Sequence, residues 1–336
     1  MTTPYSILDL SPIPEGADAG VALRQSLSLA QHAETWGYKR YWMAEHHNMI
    51  GNASSATAVA LGYVAGGTRT IRVGSGGVML PNHAPLVIAE QFGTLACLYP
   101  NRIDLGIGRA PGTDRQTARA LRRDLQTSGD GFVQDVLELQ SYLSRDAAQA
   151  PVKAIPGAGT EVPMWVLGSS LYGAQLAAHL GLPYAFASHF APADLFDALA
   201  IYRKTFKPSE AYPEPYAMVL VNVVAAPTDE EAAFLYTTVQ QHFVRMRRNT
   251  RGKLPPPIPD INGFWDDHER HFAQQMLACS VVGSAQTVSD GFASLLEQTQ
   301  AQELMLAGQI FDHEVRLRSF EIAAHAMKNL TQSALV

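Results

Sequence analysis

The sequence predicts an α/β chain folded as a (β/α)8 TIM barrel with an insertion before strand eight. Three observations carry that expectation. Short apolar strand-like runs alternate with longer amphipathic runs from one end of the chain to the other. Eight such pairs occur. Glycines and titratable residues gather just after the strands. A doubly wound open sheet uses the same alternation, and periodicity does not separate the two. The 336 residues suit one large barrel domain over 1–336, and 47% hydrophobic with 17% charged residues permits a sizeable core.

The elements follow in order. A strand at 4–9 precedes a helix from Gly20 to Trp36, and a strand at 39–44 precedes a helix at 54–65. The third strand, 71–75, leads to a helix at 85–98; the fourth, 103–107, leads to a long helical region at 115–143. Strands at 163–167 and 184–187 precede helices at 171–180 and 192–205. The seventh strand, 218–224, is followed by Thr228-Asp229-Glu230-Glu231, a cap with acids in the first helical turn, where the helix dipole favours them. Ser284 to Val288 opens a further helix after a glycine, and a strand at 303–307 with a helix at 313–329 completes the set. Two stretches exceed a minimal barrel. Asp146 to Glu161, rich in Ala, Pro and Gly, reads as a loop or short hairpin. Arg245 to Asn262 holds Arg245, Arg247, Arg248 and Arg251, then Pro255-Pro256-Pro257, which cannot continue a helix. That insertion is either a rim loop at a substrate entrance or a solvated excursion.

Composition excludes several classes. A net charge of −6 argues against nucleic acid, and no apolar run reaches the length of a membrane span. Cys97 and Cys279 sit in apolar, helix-like contexts, cannot make a disulfide framework, and fit a reducing compartment. The chain enters a strand at Tyr5 without a basic stretch and apolar run before it, so a cytoplasmic location is expected.

Candidate chemistry lies at the strand exits. Trp42-Met43-Ala44-Glu45-His46-His47-Asn48 ends the second strand on a carboxylate, two imidazoles and an amide. Alternation puts Glu45 and His47 on one side and His46 on the other. His46 is a candidate acid or base, since an ordinary imidazole titrates near neutrality, with Glu45 or Asn48 to orient it. Adjacent strand residues diverge and no further spaced ligand set follows, so no metal is expected. Val73-Gly74-Ser75-Gly76-Gly77 marks a bulge, a barrel-corner bend, or close approach of something flat to the backbone. His83, in the turn that follows, either reaches the strand-end face or lies exposed. Arg109 follows the fourth strand among small residues, and its guanidinium fork suits phosphate. Gly168-Ser169-Ser170 follows the fifth, immediately before a helix: an anion site, or a simple N-cap.

These segments resemble the luciferase-like monooxygenases, flavin-dependent relatives of the bacterial luciferase alpha chain. The likeness rests on Trp42 to His47, Val73 to Pro85, Glu90-Gln91, Pro100 to Gly112, Val166 to Ser170, and Val281 to Ser284. It implies a barrel that binds reduced FMN at the C-terminal ends of its strands. His46 falls on the catalytic histidine. Gly76 and Gly77 fall on the pair joined by a non-proline cis peptide against the isoalloxazine ring. Arg109 with Gly168, Ser169 and Ser170 falls on the FMN phosphate site, and Arg119 nearby as a second phosphate arginine. Gly108 stands where luciferase alpha chains carry a reactive cysteine, so light emission is not implied.

The implied reaction is oxygenation of a small organic substrate by O₂ through a C4a-peroxyflavin, with FMNH₂ supplied by a separate NAD(P)H:flavin reductase. An F420-dependent hydride transfer on the same barrel and a flavin-binding protein without turnover are the alternatives. The pocket is expected to draw on Leu8, Met79, Phe190 and the 245–275 region, which suggests an apolar compound. The resemblance also implies a homodimer. The helices at 54–65 and 85–98, with few charges, are its expected contact face.

Overall fold

The computed structural model describes residues 3–110, 114–121 and 131–333. Its first half runs β1 (Tyr5–Asp9), α1 (Ala19–Trp36), β2 (Arg40–Met43), α2 (Thr57–Gly66), β3 (Arg72–Met79), α3 (Pro85–Leu98), β4 (Ile103–Gly108), α4 (Arg115–Leu121) and α5 (Phe132–Leu143). Its second half runs β5 (Met164–Gly168), α6 (Leu171–Leu180), β6 (Tyr184–Phe186), α7 (Leu195–Thr205), β7 (Ala217–Ala225), α8 (Asp229–Arg247), α9 (Asp267–Met276), β8 (Ser280–Gly283), α10 (Ala285–Thr299), β9 (Glu303–Ala307) and α11 (His313–Ser333). All strand pairings in the sheet are parallel. β1 to β6 pair in sequence order, β6 pairs with β7, β7 with β9, and β9 with β1. The ring is therefore closed on eight strands, and the open-sheet alternative falls.

The ninth strand, β8, corrects the expected count. β7 has nine residues and β6 only three. β6 therefore covers only Ala217–Val219 of β7, and β8 pairs with Asn222–Ala225 further along. β8 extends the wall on one side of the barrel mouth without entering the ring. The long helical region at 115–143 is two helices, α4 and α5; residues 122–130 lie outside the described residues. Arg245 and Arg247 belong to the last turn of α8 rather than to a loop, where the helix dipole favours cations. α9 was not expected; its start carries a complete capping box, Asp266 with Glu269. Cys279 lies in the bend before β8, not in a helix. Asp146 to Glu161 holds a 3₁₀ turn and a cis Ile155–Pro156 bond, but no hairpin.

Strand alternation sorts the side chains into two layers. Outward residues such as Ile7, Tyr41, Val73, Leu105, Val166, Phe186, Val219 and Leu304 pack against the helices. Leu8, Trp42, Trp165, Ala185, Met218, Leu220 and Met305 fill the interior. Gly74 makes room for the Trp42 indole: a Cβ there would lie 2.7 Å from Trp42 Nε1.

The barrel floor is ionic. Arg40 Nη1 donates to Asp104 Oδ2 at 2.7 Å and Arg40 Nε to Glu303 Oε1 at 2.8 Å, all three residues being buried. Ser6 and Tyr216 also donate to Glu303, Trp42 Nε1 donates to Asp104, and the Arg40 guanidinium lies 4.8 Å from the Trp165 ring centre. A second buried pair, Arg316 Nη2 to Asp9 Oδ1 at 2.7 Å, ties α11 to β1. Charges buried this deeply persist only when paired and hydrogen-bonded.

Candidate active site

The strand exits form one mouth. Past β2 the backbone leaves the sheet at Ala44, and the next three residues diverge as alternation requires. Glu45 is buried, and its Oε1 accepts from His47 Nε2 and from His83 Nε2, each at 2.8 Å. Burial pushes the Glu45 pKa upward, but the hydrogen bonds and charges of His83 and His47 outweigh it and leave the carboxyl below its usual range. His83 thus reaches the strand-end face. Glu45 clamps the β2 exit to the β3 exit and does not hydrogen-bond His46; Asn48 instead donates to Asp114 at 3.3 Å. The ligand-type atoms of Glu45, His47 and His83 lie within 4.8 Å of one another, and their mutual hydrogen bonds account for that approach.

His46 points the other way. Its Nδ1 is buried without a hydrogen-bond partner among the described residues. Burial, then the neighbouring charge of His242, lowers its pKa from 6.5 to about 4. The near-neutral value expected from residue type is therefore corrected: His46 is a neutral imidazole at pH 7, able to accept a proton. Two further histidines share its surroundings. His189, after β6, is buried with an unpartnered Nδ1 and is lowered to about 3 by burial and by His46. His242, on α8, is lowered to about 4 by burial and by Arg251 and Arg245. The sequence reading missed both as site residues. Ala187-Ser188-His189-Phe190 at a strand exit was the available signal for the first; His242 carried none, lying inside a helix.

The β3 exit holds the bulge. The β3–β4 register shifts between Ser75 and Val78, and the Gly76–Gly77 peptide is cis. A Cβ on Gly76 would meet Leu8 Cδ1 at 2.5 Å, and one on Gly77 would meet the Gly106 carbonyl oxygen at 2.8 Å. Backbone packing therefore demands glycine at 77, whereas a side chain at 76 would have to displace the Leu8 tip. Leu8, expected in the pocket wall, is enclosed in the interior, whereas Phe190 is exposed at the rim and Met79 is half-buried.

Arg109 is exposed after β4, its guanidinium 4.0 Å from the ring centre of Tyr172, the second residue of α6. β4 and β5 are adjacent, so the arginine and the Gly168-Ser169-Ser170 turn stand together. Ser170 occupies the N-cap position of α6, but its side chain makes no cap hydrogen bond. The first-turn N–H groups of α6 thus have no side-chain cap beside a cation, which is the arrangement that binds phosphate. Arg119 is exposed on α4, and among the described residues no hydrogen bond or ion pair joins it to this turn. A cavity of about 460 Å³ opens between the β2 exit and α4, lined by His47, Asn48, Gln116, Thr117, Ala120 and Leu121.

A parallel (β/α)8 barrel with its titratable groups gathered at the C-terminal mouth is an enzyme architecture. Residues 3–303 match the family model described as "Luciferase-like monooxygenase", and the chain belongs to that family. An Escherichia coli K12 protein described as "Luciferase-like monooxygenase" is 54% identical over 98% of each chain. A Bacillus subtilis 168 protein named N-acetyl-S-alkylcysteine monooxygenase is 41% identical over 54% of this chain and 56% of its own. Among solved structures, apo-MsnO8 superposes with a TM-score of 0.87 at 35% identity, covering 98% of this chain and 99% of its own. At 15% identity the likeness shows the fold alone. At that level stand the FMN complex of the oxygenating constituent of 3,6-diketocamphane monooxygenase from Pseudomonas putida (TM-score 0.72; 96% and 97% covered) and an F420-dependent secondary alcohol dehydrogenase (TM-score 0.70; 97% and 99% covered). The protein is an oxidoreductase of this family, and among its described residues no helix is long and apolar enough to cross a membrane.

Proposed function

We propose that the chain is an FMN-dependent monooxygenase that uses O₂ to oxidise a small organic substrate, its reduced FMN delivered by a separate NAD(P)H:flavin reductase. The observation that carries this is the pairing of Arg109 with the uncapped start of α6, a phosphate site at the edge of the mouth that holds His46. Relatives named as monooxygenases support oxygen insertion over the F420-dependent hydride transfer that the same barrel accommodates elsewhere.

In this reading Arg109 and the α6 N–H groups would hold the FMN phosphate, and the bulge at Gly76–Gly77 would lie along the ring. Bound reduced FMN supplies the electrons that activate O₂. The chain's own part is to orient the ring, exclude water and manage a proton. His46 accepts that proton through Nε2, because Nδ1 is enclosed by protein. Glu45 takes part by holding the β2 and β3 exits together through His47 and His83, which keeps His46 in place.

Arg109→Ala is expected to weaken FMN binding by about 1.5–3 kcal/mol, the loss typical of a hydrogen bond to a charged group, while riboflavin binding changes little. Flavin fluorescence titration measures both, and a parallel F420 titration separates the two cofactors. Equal losses for FMN and riboflavin would remove Arg109 from the phosphate site.

We also propose a C2 homodimer through α2 and α3. Thr57, Ala60, Leu61 and Val64 pack inward, yet the outer faces of the two helices expose Val59 (75%), Tyr63 (47%), Val87 (43%) and Leu98 (64%). Large apolar side chains left exposed on two neighbouring helices are what a second copy would cover. Ala58 and Leu61 pack toward the barrel, so charges that test this face belong at Val59 and Tyr63. Light scattering is expected to give twice the monomer mass for the native chain and the monomer mass for Val59→Glu/Tyr63→Glu. A native monomer at micromolar concentration, or an undisturbed dimer in the variant, would end the proposal.

A further inference from the structure

The basic insertion has one member left over. Arg245 Nη1 donates to Glu15 Oε1 at 2.7 Å, and Arg248 Nη2 to Glu269 Oε2 at 2.7 Å. Lys253 donates to the Ala17 carbonyl, and Arg247 lies 4.9 Å from the Phe272 ring centre. Arg251 is exposed and, among the described residues, has no carboxylate, carbonyl or ring partner.

Its place is set by three loops laced over one side of the mouth. Leu254 N donates to Ile13 O and Glu15 N to Leu254 O, each at 2.8 Å, while Ile13 N donates to Gly51 O at 2.8 Å. A Cβ on Gly51 would collide with the Gly252 carbonyl oxygen. The 251–254 segment is therefore fastened across the exits of β1 and β2, on the loop that carries His46. The Arg251 charge is felt at both His46 and His242. β1 stands opposite β5 in the eight-stranded ring, so Arg251 lies across the mouth from the Arg109 turn. The two histidines that feel it, His46 and His242, are held neutral by burial. Glu45 is turned to His47 and His83, and Glu15 is taken by Arg245. Among the described residues Arg251 and Arg109 thus stand without a carboxylate partner on opposite sides of the mouth, and one flavin phosphate would occupy only the Arg109 side.

We propose that Arg251, carried on the segment fastened to the loops after β1 and β2, binds a carboxylate group of the substrate, so that the substrate class is a small organic acid with an apolar body. The inference rests on reading this mouth as a flavin monooxygenase site, and it adds a charged end to the apolar compound expected from the sequence. A guanidinium offers a planar carboxylate two parallel hydrogen bonds, while Met79 and the rim residue Phe190 suit the apolar remainder.

The test is calorimetric titration of the full chain with hexanoate and with hexanamide, both with and without oxidised FMN. The native protein is expected to bind hexanoate at least about tenfold more tightly than the amide, the least that a charge-assisted hydrogen bond contributes. Arg251→Gln should abolish that preference and Arg251→Lys retain part of it. Arg247→Gln, an equal loss of charge at the end of α8, should leave it whole. Equal affinities in the native protein, no hexanoate binding, or a preference surviving in Arg251→Gln would overturn the proposal. FMN binding is read separately by flavin fluorescence. Failure there sinks the cofactor reading, while the flavin-free titration still decides the role of Arg251.

Discussion

His46→Ala is expected to lower turnover with reduced FMN by roughly 10²–10⁴-fold, the range lost with a positioned acid or base, while FMN affinity stays nearly intact. The two readouts separate a proton-transfer role from a binding role. The pH profile adds a third. Burial and His242 hold His46 near pKa 4, so its neutral form persists from pH 8 down to about 5. The His46-dependent limb of turnover should therefore appear only as the pH falls toward about 4. An unperturbed histidine would give that limb near 6.5. Stopped-flow single-turnover rates across pH 4–8 measure it. Turnover unchanged in His46→Ala, or a wild-type limb near 6.5 that disappears in the variant, would contradict the role or the environment assigned here.

Arg40→Leu is expected to cost about 3 kcal/mol of folding stability, because it removes the buried cation that Asp104 and Glu303 share and leaves them only the half-exposed Arg72 and Lys39. That is a large part of the 5–15 kcal/mol available to an ordinary domain, so much of the variant should be insoluble. Arg40→Lys keeps the charge but not the fork that spans both carboxylates, and should fall between. Adding Asp104→Asn and Glu303→Gln to Arg40→Leu should recover part of the loss, since neutral amides are cheaper to bury unpaired than carboxylates. Urea midpoints rank the four proteins. A midpoint for Arg40→Leu within error of the native one would show that the floor network is not what holds the barrel closed.

The alternation of strand and helix, the capped start of α8 and the eight strands of the ring were all legible in the chain, because each rests on spacing within a few residues. The same holds for His46, Arg109 and Ser170: each lies just past a strand, and strand ends in a parallel barrel point to one face. What lay beyond reach was any relation between exits. Glu45 is matched to His83, 38 residues away across two strands, and nothing local says that one carboxylate oxygen receives two imidazoles. His189 and His242 come to His46 from β6 and from α8, which meet it only when the sheet closes. The His46 pKa followed from burial, and burial is not written in residue type. β8 is a strand because β7 outruns β6, a property of neighbours in space. Arg251 reads as one of four like arginines until packing gives Arg245 and Arg248 their carboxylates and Arg247 its ring. Local pattern determined the elements and the face on which chemistry gathers. Closure of the barrel decided which groups meet, because distance, solvent exclusion and charge compensation are set by chain segments remote in sequence.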